Sequence, residues 1–228
     1  MTELAALTWT QVRTVTDRRT VLAVPVGATE QHGPHLPLST DTDLAVALCE
    51  RLAAARAQVL VAPAIAYGSS GEHEGFPGTL SIGQHATELL LVELARSATG
   101  TFEHILFVSA HGGNAGPVHR AVRTLRSEDR DVHVFTPHWS GDPHAGRPET
   151  AMQLALHPQT VRLERAVAGT VRPLSDLMPA LRSGGVRAVS ESGVLGDPTG
   201  ATAAEGAALL DDLTAALIGE VDQWCPGR

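Results

Sequence analysis

The fold is indicated first by Thr20-Val21-Leu22-Ala23-Val24-Pro25-Val26, an apolar run rich in β-branched residues. Such a run is typical of a strand that is buried on both faces, as in a parallel sheet. It is followed by the polar segment Glu30-Gln31-His32-Gly33-Pro34-His35. In open parallel sheets the active site lies beyond the carboxyl ends of the strands. The first strand therefore predicts both a type of sheet and the edge at which a site is expected.

Strands and helices are predicted to alternate along the rest of the chain. Further apolar runs predict strands at residues 58–62, 104–108 and 132–135. Helical periodicity is found at residues 44–55, 84–97, 118–125, 150–156 and 201–221. Asp41 or Asp43 is expected to cap the first of these helices. The alternation predicts an α/β fold with helices on both faces of a parallel sheet, forming one domain over residues 1–228.

Composition excludes several classes of function. The net charge is −8 and basic residues are not clustered, so we expect no nucleic-acid partner. The chain has no lysine, which excludes Schiff-base catalysis and a P-loop. Two cysteines, no signal-peptide pattern and no apolar run of ~18 residues predict a cytoplasmic protein without a membrane partner.

Four residues form a candidate metal-binding set. Glu30 and His32 follow the first strand, Asp41 lies beyond a proline-containing loop, and His111 follows the strand at 104–108. Carboxylate oxygens and imidazole nitrogens suit first-row divalent ions such as Zn, Fe or Mn. Asp41 is the candidate for a bridging ligand. Each residue alone could be a helix cap or a loop side chain, but together they predict a metal-dependent hydrolase.

Other polar residues are candidates for the same pocket. His73 either lies over the metals or belongs to a polar surface loop, and Asn114 is a second substrate-pocket candidate. His144 could act as a proton donor. Glu149 is either a metal ligand, a general base or a residue that stabilises a helix N-terminus. The turn-rich segment 191–199 could be structural, line the pocket or lie at a subunit boundary.

Several motifs, taken in order, strongly resemble those of the creatininase family. They are residues 30–37 with Thr40-Asp41, Glu72-His73 with residues 76–79, His111-Gly112-Gly113-Asn114, and Gly196-Asp197-Pro198-Thr199. The resemblance extends over residues 24–206. It implies a three-layer αβα sandwich with a mostly parallel central sheet. It also implies an amidohydrolase centre with two divalent metal ions, and a homo-oligomer that is often a hexamer.

The resemblance also implies roles for individual residues. Glu30 and His111 would bind one metal, His32 would bind the other, and Asp41 would bridge them. Creatininase itself has a glutamate ligand two residues after the second histidine, where this chain has Gly113. Glu149 is the expected replacement for that ligand.

The segment from His144 to Thr150 most resembles the branch of the family that acts in mycofactocin maturation. That branch would release a modified C-terminal dipeptide product from a precursor peptide, with His144 protonating the leaving nitrogen. One alternative is a hydrolase of small cyclic amides or formamides, of the creatininase or formylamide hydrolase type. Another is a non-catalytic scaffold protein that is stabilised by metal.

Overall fold

A computed structural model describes residues 3–226, and its centre is a four-stranded parallel sheet. The strands are β1 (Val21–Val26), β2 (Val59–Val61), β3 (His104–Ser109) and β4 (Asp131–Phe135). They are arranged in the order β2-β1-β3-β4, and each neighbouring pair is parallel. The predicted parallel sheet is therefore confirmed.

Helices cover both faces of the sheet. They are α1 (Trp9–Val15), α2 (Thr40–Ala55), α3 (Gly83–Ala98), α4 (Ala115–Ser127), α5 (Arg147–Leu156), α6 (Leu174–Gly184) and α7 (Ala203–Trp224). One buried apolar cluster joins α2, α5 and α7 to one face, and a second joins α3 and α4 to the other. This is the predicted three-layer αβα arrangement. No helix in residues 3–226 is long and apolar enough to cross a bilayer.

Strand β1 is central and every one of its residues is buried. Pro25 lies within it although proline cannot donate a ladder hydrogen bond. Its carbonyl oxygen accepts from the Ile65 backbone nitrogen at 2.9 Å, so this edge of Pro25 faces the β2 side. Strand β2 has already ended at Val61. The backbone N–H that Pro25 lacks is therefore not needed for pairing between β1 and β2. Beyond Pro25 the chain leaves the sheet toward Glu30.

The helix after β1 differs from the prediction at its start. It begins at Thr40 rather than Leu44, and its N-cap is Ser39. The expectation that Asp41 or Asp43 caps this helix was therefore wrong, because both lie inside its first turn. Asp43 accepts a hydrogen bond from the Ser39 hydroxyl at 2.9 Å. The Asp41 side chain is directed to the site instead.

Helices α1 and α6 were not predicted. Helix α6 has Pro179 in its interior, where proline disfavours a helix, and Leu177 is its one buried residue. Helix α7 begins at Ala203 with a capping box formed by Thr202 and Glu205. Its Gly206 packs directly against the backbone of Ala151 in α5.

Candidate active site

The candidate ligands converge at the carboxyl edge of the sheet. Glu30 and His32 follow β1, Asp41 lies in the first turn of α2, His111 follows β3, and Glu149 lies in the first turn of α5. All five are buried, with exposed fractions between 0% and 6%. The structure thus brings together the four residues of the predicted set and the expected replacement ligand.

Asp41 lies between the other ligand candidates. Its Oδ1 is 3.3 Å from His32 Nε2, and its Oδ2 is 3.4 Å from His111 Nδ1. Glu30 Oε2 is 3.1 Å from His111 Nε2, and Glu149 Oε2 is 4.0 Å from His32 Nε2. Asp41 therefore contacts two groups of donors, one with Glu30 and His111 and one with His32 and Glu149.

The donor atoms of this cluster fit bound cations. Both carboxylate oxygens of Glu30, Nε2 of His32 and Oδ2 of Asp41 are buried without a hydrogen-bond partner. An unsatisfied buried polar atom costs about 1–3 kcal/mol, and more when it is charged. Ligating atoms of Glu30, Asp41 and His111 lie within 4.8 Å of one another, as do those of His32, His144 and Glu149. The chemistry and spacing of the donors suit a divalent metal.

The cluster also perturbs the protonation of its members. Burial raises the pKa of Glu30, the nearby Asp41 carboxylate raises it further, and burial raises the pKa of Glu149 to about 7. Burial alone would lower the pKa of His32, but the carboxylates of Asp41, Glu149 and Glu30 together outweigh it and raise that pKa to about 10. The pKa of His111 also rises to about 10, because burial, which lowers it, is outweighed by the combined effect of the nearby Glu30, Asp41 and Glu72 carboxylates. The ionised carboxylates therefore favour positive charge at this position, and without it the raised pKa values favour their neutral forms.

His73 and His144 lie on one side of the cluster. His73 is 4% exposed, and its Nε2 is 3.1 Å from Glu30 Oε1, which excludes the surface-loop alternative. The His144 ring centroid is 4.5 Å from those of His32 and His73, and its Nδ1 is 4.0 Å from Glu30 Oε1. Burial and the charge of His32 lower the pKa of both His73 and His144. Both rings are therefore neutral.

Asn114 takes a different position from the predicted one. It is fully buried, its Oδ1 accepts from the Ser69 backbone nitrogen at 2.8 Å, and its Nδ2 donates to the Gly27 carbonyl at 2.9 Å. Both ends of the amide are thus committed to backbone groups. Asn114 therefore connects two loops by hydrogen bonds and is not placed in the wall of a pocket.

A family model for creatininase, described as creatinine amidohydrolase, matches residues 5–221. The chain belongs to the creatininase family. The mycofactocin precursor peptide peptidase of Mycolicibacterium smegmatis is 49% identical to it over 216 residues, which cover 91% of this chain and 87% of that relative. The prediction of a hydrolase that acts on amide bonds is therefore confirmed.

Solved structures of creatininases share the whole fold. The crystal structure of creatinine amidohydrolase superposes with a TM-score of 0.83 at 26% identity, covering 99% of this chain and 98% of that one. A creatininase mutant of Zn–Zn type superposes with a TM-score of 0.83 at 25% identity, covering 98% of each chain. The predicted fold class is confirmed.

Two residues of this creatininase-family site were missed in the sequence. Gln31 is 5% exposed, and its side chain contacts both His73 and His144. Glu72 has its Oε1 3.7 Å from His111 Nε2 and is partly exposed. The signal available in the sequence was their position next to predicted site residues. Gln31 lies between Glu30 and His32, and Glu72 directly precedes His73.

The loops around Glu149 are fixed by a buried turn. The Ala145 backbone nitrogen donates to Glu149 Oε2 at 2.5 Å, and Ala145 has a positive φ of 52°. Asp142 Oδ2 accepts from the backbone nitrogens of Arg147 and Asp197, each at 3.0 Å. Asp142 therefore links the start of α5 to the turn-rich segment 191–199. Leu195 and Gly196 of that segment also line clefts beside the cluster, so the segment is both a structural link and part of the pocket wall.

Two clefts reach the cluster from the surface. The smaller, of about 490 Å³, passes Trp139 and Arg172, and the larger, of about 1250 Å³, runs along α6. His111 and His144 line both. A substrate that extends on both sides of a scissile bond could therefore cross the cluster.

Proposed function

We propose that this chain is a peptidase with two divalent metal ions that releases a modified dipeptide from the C-terminus of a mycofactocin precursor peptide. The observation that carries the proposal is the 49% identity to the mycobacterial peptidase over 91% of the chain. The larger cleft supports it, because about 1250 Å³ exceeds the roughly 300–1,000 Å³ of most small-molecule pockets.

We assign the metal ligands from the two groups of donors that meet at Asp41. Glu30, Asp41 and His111 would hold one cation, and His32, Asp41 and Glu149 would hold the other. The short distances from Asp41 to His32 and His111 support a bridging carboxylate. Zinc, iron and manganese all fit such ligands.

Bound there, the cations would lower the pKa of a water toward neutrality and polarise the carbonyl of the scissile amide. His144 lies beside both donor groups and would transfer a proton to the leaving nitrogen. His73, whose Nε2 is 3.1 Å from Glu30 Oε1, would pack beside that carboxylate and limit its movement. The buried walls of the cluster would exclude other water.

The first experiment compares substrates. Purified protein loaded with Zn, Fe or Mn is incubated with the modified precursor peptide, with creatinine and with a formamidopyrimidine, and products are identified by mass spectrometry. We expect cleavage of the peptide. Turnover of a small amide alone would favour the alternative hydrolase, and stable metal binding without any hydrolysis would favour the scaffold.

The second experiment tests the bridge. Asp41→Asn should abolish peptide cleavage and lower the content of both metals, measured by elemental analysis. Asp43→Asn is the control, because Asp43 lies in the same helical turn but contacts Ser39 and Gln153 instead of the cluster. Full metal content and activity in Asp41→Asn would overturn the ligand assignment.

The expected cytoplasmic location and homo-oligomer stay predictions.

A further inference from the structure

The two clefts open onto different halves of the cluster. The smaller cleft is lined by Asp41 and Glu149, whereas the larger cleft is lined by Glu30 and His73. His111, whose Nε2 is 3.1 Å from Glu30 Oε2, faces both clefts. A peptide that crosses the cluster would therefore place the two sides of its scissile bond in spaces of different size.

The sizes of the clefts favour one direction for the peptide. Pockets of roughly 300–1,000 Å³ enclose most of the surface of a small ligand. The smaller cleft, of about 490 Å³, lies in that range and suits a released fragment of two residues. The part of the precursor before the scissile bond is longer, and the larger cleft of about 1250 Å³ offers it more room.

One face of α6 forms a wall of the larger cleft. The residues of this α6 face follow the i, i+4, i+7 and i+8 spacing of a single helical face. They are Leu174, Met178, Leu181 and Arg182, and all of them line the cleft. Leu174 is 43% exposed, and Met178 and Leu181 are half-buried. The α6 face thus leaves apolar surface open to a ligand.

A neighbouring face of α6 holds the helix on the protein. Leu177 is 2% exposed and packs with Val186 and Leu195 in a small buried cluster. Leu181 packs against the edge of the same cluster, so it contributes both to this anchor and to the cleft wall. Helix α6 is therefore anchored on one side and open on the other.

The α6 face begins beside the metal-binding cluster and leads away from it. Leu174 lines both clefts, whereas Met178 and Arg182 line the larger one. A rise of 1.5 Å per residue gives a distance of about 12 Å from Leu174 to Arg182 along the helix. An extended peptide covers about 3.3 Å per residue, so the α6 face spans about four residues of such a peptide.

Arg182 gives the far end of this face a positive charge. Its side chain is exposed, and no carboxylate within residues 3–226 forms an ion pair with it. Arg187 in the same cleft is already engaged, because it donates to the Gly75 carbonyl and lies over the Phe76 ring at 5.7 Å. An unpaired guanidinium group is suited to binding a carboxylate through two parallel hydrogen bonds.

We propose that the α6 face binds the stretch of about four residues before the scissile bond, with apolar peptide side chains on Leu174 and Met178 and a peptide carboxylate on Arg182. The inference rests on the proposed function and adds the direction of the substrate. The released C-terminal fragment lies in the smaller cleft. Contacts on α6 are remote from the scissile bond and persist from the bound substrate to the transition state, so they should act on KM rather than on kcat.

The first test varies the length of the substrate. Parent protein loaded with zinc is given modified precursor peptides that keep from about two to about eight residues before the scissile bond. We expect kcat/KM to rise at least about tenfold up to about five residues and then to level off, because longer peptides extend past Arg182. Equal kcat/KM for all lengths would overturn the inference.

The second test reverses a charge. Arg182→Glu should raise KM for the precursor at least about fivefold and leave kcat within about twofold. Arg165→Glu is the matched control, since Arg165 is also exposed and lines neither of the two clefts. A precursor with lysine in place of the acidic residue about four positions before the bond should prefer Arg182→Glu to the parent. Absence of this reversal would overturn the charged contact.

The third test concerns the apolar part of the α6 face. Met178→Gln keeps a long, unbranched side chain but makes it polar, and Met178 lines the larger cleft and not the smaller. It should raise KM at least about threefold. Leu163→Gln changes an apolar side chain that is 45% exposed outside both clefts and should leave KM unchanged. Equal KM in the two variants would overturn the apolar contact.

Binding separates this inference from the proposed function. The precursor without its C-terminal dipeptide, labelled with fluorescein at its N-terminus, should bind the parent in fluorescence anisotropy and bind Arg182→Glu at least about fivefold more weakly. A parent that binds this peptide but cleaves no precursor would overturn the proposed function and support the α6 face. A parent that cleaves the precursor while Arg182→Glu and Met178→Gln match it in KM and in binding would overturn the inference alone.

Discussion

The carboxylate of Glu72 occupies the space beside the α-carbon of Gly113. A Cβ at Gly113 would collide with Glu72 Oε1, with the Ser69 carbonyl oxygen and with His111 Nε2. Gly113 does not have a positive φ, so this position requires space rather than backbone freedom. A glutamate here, as in creatininase, would meet the same obstruction. The glycine therefore allows a carboxylate from another loop to approach His111.

Gly113→Ala should displace Glu72 or His111 and lower kcat/KM for the peptide at least about tenfold, which corresponds to about 1.4 kcal/mol. Gly112→Ala is a close control, because a Cβ at Gly112 would meet nothing within 4 Å. It should retain activity within about twofold. Equal activity of the two variants, measured with the same metal content, would show that the contact between Glu72 and Gly113 has no functional role.

Glu149→Gln should remove the cation that we assign to His32, Asp41 and Glu149. The amide keeps the size of the side chain but removes a buried negative charge. We expect the metal content to fall from two ions to one per chain and kcat to fall at least about a hundredfold. Glu164→Gln, on an exposed side chain, should leave both values unchanged. Two ions per chain in Glu149→Gln would contradict the assignment.

His35 should make the fold sensitive to acid. It is 1% exposed, its Nε2 is 2.9 Å from the Thr150 hydroxyl, and burial, together with the charge of His32, lowers its pKa from 6.5 to about 4. The folded state therefore prefers the neutral ring. This contribution to stability is complete above pH 6.5 and is lost as the pH falls from 6.5 to 4, by up to about 3 kcal/mol.

The measurement is the free energy of unfolding in urea across that range of pH. His35→Gln should be less stable at neutral pH and should show a shallower loss of stability toward pH 4. His85→Gln, on an exposed side chain, should follow the parent at every pH. Parallel curves for the parent and His35→Gln would exclude this role for His35.

The contact between α5 and α7 should be sensitive to a single methyl group. A Cβ at Gly206 would collide with the Ala151 carbonyl, and we expect Gly206→Ala to destabilise the fold by about 1–3 kcal/mol. Gly219 lies in the same helix, and a Cβ there would meet nothing within 4 Å. Gly219→Ala should instead stabilise it by about 0.5–1 kcal/mol. Chemical denaturation measures both, and the same sign in both variants would contradict the packing.

The sheet and much of the site could be predicted because their signals are local. The apolar runs define the strands, and Glu30, His32 and His111 follow strand ends directly. Parallel strands have their carboxyl ends at one edge, which is why these residues could be expected to meet. Glu149 was expected to be a metal ligand because Gly113, at the position of a ligand in creatininase, has no side chain that could bind a metal.

Other features depend on contacts between distant segments. The Gln31 side chain contacts His73, His144 and Gly193, and its position in the sequence does not specify those partners. Helix α6 contains Pro179, which disfavours a helix, and its position depends on the packing of Leu177 against Val186 and Leu195. Asn114 was misplaced because a polar residue beside a predicted ligand can face either the pocket or the backbone of a neighbouring loop.

The donors that surround Asp41 come from segments that meet only when the sheet and its helices have assembled. A denatured chain offers the same side chains as separate, weak ligands, whereas under the proposed ligand assignment the native chain would offer them as a chelate. Uptake of a coloured divalent cation such as Co²⁺ would therefore report the completeness of refolding, and its absorption spectrum would distinguish correctly assembled protein from compact, misfolded material.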